Sequence, residues 1–178
     1  KKPKALVFVD FEHWSISLQR MYGLKPDIKG WRDRLARDYA IQEIAVFADF
    51  SGSLGYALPA IREVTNQIIE TQNPSPHYKK DFTDFIMLDY IYQKAMTARG
   101  IDTFIIFTGD GHFASVVRCL TGLCRKQVGI YAVKDALSNQ LKSSATWYCE
   151  LPTEEELLTK YYSVIVKNFE YLQENRNK

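Results

Sequence analysis

Two short apolar runs in the 178-residue chain lead into aspartate: Leu6-Val7-Phe8-Val9 ends at Asp10, and Phe104-Ile105-Ile106-Phe107 continues through Thr108-Gly109 to Asp110. A third acid, Asp84, stands in the first turn of a helical stretch starting near Thr83, while Glu12 and Asp49 follow the first and second apolar runs. Carboxylates gathered round one cavity repel each other until protons or cations neutralise them. Hard oxygen donors suit Mg²⁺ or Mn²⁺, and a pair of such ions activates the attacking water and stabilises the leaving oxygen in phosphodiester hydrolysis. In Thr108-Gly109-Asp110-Gly111 the glycines let the turn approach a substrate, and the hydroxyl can hold a carboxylate or a water. Each acid also has a structural reading. Asp10 and Asp110 stand between a strand and a helix, where aspartate caps the N-terminus, and Asp84 stands where the helix dipole favours an acid.

The elements that must position these groups are legible as alternating signals. Strand-length apolar runs recur at Ala5–Val9, Ile44–Phe47, Thr103–Phe107 and Val128–Val133, separated by helix-length segments. This predicts a three-layer α/β/α fold with a mostly parallel central sheet of about five strands, whose ligands bind beyond the carboxyl ends where strand order reverses. If the strands ending at Asp10 and Phe107 are neighbours, both acids face one crevice. Pro59 opens one helix, Thr83 to Met96 forms a second with Phe85, Leu88, Tyr92 and Ala95 at helical spacing, and Phe113 to Leu123 forms a short third. Asn73-Pro74-Ser75-Pro76 is a break. Thr153 and Glu156 have capping-box spacing and open a helix of about twenty residues with Leu158, Tyr161, Ile165, Phe169 and Leu172 on one stripe. The expected partition is one domain over residues 1–151 and a C-terminal helix over 152–178, either packed on the domain or mediating an oligomer or domain contact.

Composition bounds the class. With 46% hydrophobic, 25% charged and 23 basic against 21 acidic residues, the chain is an ordinary globular domain, which excludes disordered, collagenous and disulfide-scaffold classes. Its net charge of +2 does not by itself indicate a nucleic-acid partner. Cys119, Cys124 and Cys149 form no CxxC pair, which predicts reduced thiols and a cytoplasmic location. No apolar run approaches the roughly 20 residues that span a bilayer, so no membrane partner is expected.

Four blocks together resemble a known family. Leu6 to Trp14 (LVFVDFEHW), the helix at Thr83 (TDFIMLDYIYQKA), Phe104 to Cys119 (FIIFTGDGHFASVVRC) and Val128 to Leu151 are similar, in order and spacing, to successive blocks of the NYN domain family of PIN-like nucleases. The resemblance spans about residues 4 to 151 and implies metal-dependent RNA cleavage by acids at strand ends. Carried over residue by residue, it implies that Asp10, Asp84 and Asp110 hold Mg²⁺ or Mn²⁺, with Thr108 and Gly109 completing the third motif. The chain departs from the family where an aspartate is common and His112 stands, and where an asparagine is common near the first strand and His13 stands. Asp89 lies five residues beyond Asp84, where the family commonly has an acid at six. His112 carries three readings: altered metal preference towards ions that accept imidazole, a histidine facing phosphate, or an impaired site.

A ribonuclease also needs groups for the phosphate backbone. The candidates are Lys79, Lys80, Thr108, Arg118, Lys134, Ser138, Asn139 and Lys142; Tyr78 and Phe113 could stack on unpaired bases, although core packing is the expected place of Phe113. Arg32, Arg34 and Arg37 beside Trp31 form a separate basic patch. The expectation is therefore a divalent-metal-dependent endoribonuclease acting through Asp10, Asp84, Asp110 and His112. The alternatives are a catalytically impaired PIN-like module that binds RNA or protein, and, more remotely, a signalling receiver domain.

Overall fold

The computed structural model describes residues 1–72 and 82–176. From the N-terminus run β1 (Lys4–Asp10), α1 (Phe11–Tyr22), α2 (Ile28–Asp38), β2 (Ala40–Ala48), α3 (Leu58–Val64) and β3 (Gln67–Glu70). They are followed by α4 (Phe82–Thr97), β4 (Thr103–Phe107), α5 (Ala114–Arg118), β5 (Gln127–Val133), α6 (Asn139–Ser144), β6 (Trp147–Leu151) and α7 (Glu154–Arg176).

The strands form one sheet in the order β3-β2-β1-β4-β5-β6, and every pairing is parallel. Parallel strands need crossovers, and a parallel sheet must be covered on both faces, so its central strands are apolar throughout. Alternation along each strand divides the interior into two cores. Val7, Val9, Val46, Ile105 and Phe107 face Phe11, Trp14, Leu18, Trp31, Leu35 and Ile61 of α1, α2 and α3. Leu6, Phe8, Phe47, Phe104, Ile106 and Ile130 face Met87, Ile91, Val116, Val117 and Leu141 of α4, α5 and α6.

The sheet has six strands where about five were expected. The additional edge strands β3 and β6 are short and only partly buried, because each pairs on one side alone. Their sequences, QIIE and WYCEL, lack the continuous apolar run of a central strand. Numbering runs outward from β1 to β3 and then restarts beside β1 at β4, so strand order reverses between β1 and β4. Phe8 pairs with Ile106 and Val9 with Phe107 in parallel register, which brings the carboxyl ends of the two acid-tipped strands side by side. Among the described residues, no helix is long and apolar enough to cross a membrane.

Candidate metal centre

Asp10 is the last residue of β1 and the N-cap of α1, so capping and site placement occur in the same side chain. Its Oδ1 accepts the His13 backbone N–H at 3.1 Å, and its Oδ2 accepts the Thr108 hydroxyl at 3.1 Å across the β1/β4 boundary. Asp10 is 3% exposed. Burial pushes its pKa from 3.8 to about 7; the His13 and Thr108 hydrogen bonds oppose the rise, and the charges of Glu12 and Asp110 add to it.

Asp110 likewise caps the turn Gly111–Phe113, accepting the His112 N–H at 2.9 Å. Its own N–H donates to Thr108 Oγ1 at 3.3 Å, so one hydroxyl ties the two strand-end acids together. Gly109 is required by the neighbouring β5–α6 loop, whereas at Gly111 only the Ser138 side chain would have to shift. A Cβ at Gly109 would overlap the Ala136 carbonyl, and one at Gly111 would lie 2.9 Å from Ser138 Oγ. The Ser138 N–H donates to the Gly109 carbonyl at 2.9 Å, locking the loops together.

Asp84 enters from the other core face in the first turn of α4. It is buried, and burial raises its pKa to about 7; the hydrogen bond to His112 opposes this, while Asp10 and Asp110 add to the rise. His112 Nδ1 lies 3.0 Å from Asp84 Oδ2 and 3.4 Å from Asp110 Oδ1. Among the described residues, Asp84, Asp110 and His112 present ligand atoms all within 4.8 Å of one another. Two carboxylates and one imidazole form a mixed oxygen and nitrogen donor set that accommodates Mn²⁺ more readily than Mg²⁺. Asp10 is not one of these three and is linked to them through Thr108 and by its charge.

Further acids flank the crevice. Glu12 accepts the Thr83 hydroxyl at 3.4 Å, and burial raises its pKa with a further push from Asp49. Asp49 accepts the Ser51 N–H at 3.0 Å. His13, seen in the sequence only as a departure from the family, packs beside Gly109 and Ala136. Burial lowers its pKa, whereas Asp110 and Asp84 raise it. Thr83 is a contact the sequence reading missed; its position one residue before Asp84, at the start of a helix, was the available signal.

The expected substrate contacts divide. Ser138 is brought against the Thr108–Gly111 loop, and exposed Asn139 begins α6 beside it. Lys134 is exposed and its backbone N–H donates to the Leu151 carbonyl; among the described residues no hydrogen bond or ion pair joins it to the three acids. Lys142 lies over the Tyr148 ring. Phe113 is fully buried in the core and offers no stacking surface, because its place after the capped turn points it beneath the sheet. Asp89 is exposed and bonds Gln93, away from the site. Arg32 and Arg34 pair with Asp33, Glu155 and Glu156, so much of that basic patch is neutralised locally. His77, Tyr78, Lys79 and Lys80 lie outside the described residues.

The NYN domain profile matches residues 4–152. No curated protein matches the chain. Among solved structures, a protein of unknown function from Vibrio parahaemolyticus superposes with a TM-score of 0.75 at 17% identity, covering 85% of this chain and 94% of that one. That likeness establishes a shared fold.

Proposed function

The chain belongs to the NYN domain family, and from that premise we propose that it is a divalent-metal-dependent ribonuclease hydrolysing RNA phosphodiester bonds at the β1/β4 crevice. The observation that carries this reading is the convergence of Asp10, Asp84 and Asp110 from three separate elements, with Asp84, Asp110 and His112 presenting donors to one point. Asp84, Asp110 and His112 would hold the cation. When bound, Mg²⁺ or Mn²⁺ supplies Lewis acidity towards a phosphoryl oxygen and lowers the pKa of a coordinated water.

The protein's own groups provide alignment and field. Thr108 donates to Asp10 and accepts from Asp110, holding both strand ends in register. Asp10 adds negative charge from a site without bulk water, where its field on the crevice is weakly screened. In this reading Ser138, which packs against the Gly109–Gly111 turn, and Asn139 beside it would donate to a phosphate, and Lys134 and Lys80 would contact the phosphate backbone.

The test is cleavage of single-stranded and structured RNA with Mg²⁺ and with Mn²⁺, repeated with Asp10→Asn and Asp110→Asn. Loss of at least about 100-fold in both variants is expected, the scale seen when one group that stabilises transition-state charge is removed; unchanged activity in both sinks the assignment. One observation favours a second reading, an RNA-binding module with an impaired centre. His112 Nδ1 lies within hydrogen-bonding distance of Asp84, which engages a carboxylate the cation would need. RNA retention without cleavage in any divalent ion, with cleavage appearing in His112→Asp, selects that reading.

A further inference from the structure

Helix α7 is 23 residues long, and none of them is buried. At 1.5 Å per residue it extends about 34 Å, and it meets the domain along one face only. Thr159, Lys160, Ser163 and Lys167 line a cleft against Gly23, Lys25 and Arg34. Lys160 donates to the Tyr22 carbonyl, and Arg34 pairs with Glu155 and Glu156 at the helix start.

The opposite face carries five large apolar residues, whereas Val164 lines the cleft and Leu157 and Tyr171 lie on its side of the helix. Leu158, Tyr162, Ile165, Phe169 and Leu172 repeat at alternating intervals of four and three, the a/d pattern of a coiled-coil seam. At about 100° per residue this seam lies about 180° round the helix from the cleft face. Its members are 55–66% exposed. The domain therefore engages a mixed side of α7, Val164 among Thr159, Lys160, Ser163 and Lys167, and leaves the five-residue seam exposed, unlike a helix that buries its main apolar stripe on its own core.

We propose that α7 is a self-association helix whose seam pairs with the same seam on a second copy of this chain. Two features select that occupant. The positions flanking the seam are Thr159, Tyr161, Val166, Asn168, Gln173 and Asn175; none is charged, so two identical seams meet without the like-charge contacts that prevent self-pairing. The five seam residues together with Tyr161 and Val166 offer roughly 800 Å² per helix, the area each partner contributes to an interface of standard size. The pairing is isologous and closes as a two-fold dimer. It is independent of the nuclease reading, because no residue of the β1/β4 crevice takes part.

The test is sedimentation velocity of the full 178-residue chain. The expected species has twice the 20.6 kDa chain mass. Ile165→Glu combined with Phe169→Glu should raise the dimer dissociation constant by at least about 100-fold, as loss of central interface anchors does. Far-UV circular dichroism and Mn²⁺ affinity at the crevice should stay unchanged, which separates lost pairing from lost folding. Ile165→Leu should keep the dimer, and Lys160→Gln, on the cleft face, should keep it too. A chain that stays monomeric up to about 200 μM, far above the dissociation constant expected of an interface this size, overturns the proposal and assigns the seam to another occupant. A dimer indifferent to the double substitution also overturns it.

Discussion

Replacing Asp10 by asparagine should stabilise the metal-free protein at alkaline pH while abolishing RNA cleavage. The carboxyl is buried, and burial moves its pKa from 3.8 to about 7. Between those values the folded protein holds a proton that the unfolded chain has released. Its contribution to stability is therefore complete below about pH 3.8 and is lost as pH rises through about 7. The span corresponds to about 4 kcal/mol. Asparagine is nearly isosteric and has no such titration. Its carbonyl can accept the His13 N–H, but its amide must donate to Thr108 Oγ1, which forces that hydroxyl to rotate and costs about 1 kcal/mol. The net gain at pH 8.5 is then about 3 kcal/mol, or about 6–12 °C in Tm for a chain of this size. Asp84 adds to the gain, since the Asp10 charge helps to raise its pKa. Urea unfolding of both proteins in EDTA at pH 4 and pH 8.5 measures the effect. Taking the difference between wild type and variant cancels the titration of distant groups. A variant less stable than wild type at pH 8.5, or a difference that is the same at both pH values, refutes the reasoning.

The same acids govern the response to metal. Mn²⁺ at 100 times its Kd should stabilise the wild type by about 2.7 kcal/mol, read as a rise in melting temperature; the gain should be lost in Asp110→Asn and shrink towards pH 5, where Asp84 is protonated. Thr108→Val removes the donor to Asp10 and the acceptor for the Asp110 N–H, and thermal melts should show a loss of about 1–2 kcal/mol. Gly109→Ala drives a methyl group into the Ala136 carbonyl, so the two loops must part. A loss of about 1–3 kcal/mol on urea unfolding should accompany weaker Mn²⁺ binding by calorimetry.

Much of this architecture was legible because its signals are local. Central strands buried on both faces must be apolar at every position, so β1, β4 and β5 stood out, as did acids ending β1 and following β4. Strands β3 and β6 were hidden because edge strands satisfy weaker demands: Gln67 and Glu70 face water at one edge, and Tyr148 does so at the other. Core packing was already the expected place of Phe113, and the capped turn does send it inward, so the stacking role falls away. Capping and chemistry were weighed as competing roles for Asp10 and Asp110, yet each carboxylate accepts a backbone N–H and still borders the crevice.

The amino-acid sequence alone determined that this is an α/β domain with acids at its strand ends, because periodicity and residue type act over a few positions. It could not determine which donors meet. Thr108 and Asp10 are 98 residues apart and His112 and Asp84 are 28 apart, and these contacts exist only because β4 inserts beside β1 and α4 covers the opposite face. The raised pKa of Asp10 has the same origin, since burial is a property of everything packed round a group rather than of its neighbours in sequence. The seam of α7 follows this logic in reverse: its apolar repeat was written in the sequence, but the folded domain engages another side of the helix and leaves those residues exposed.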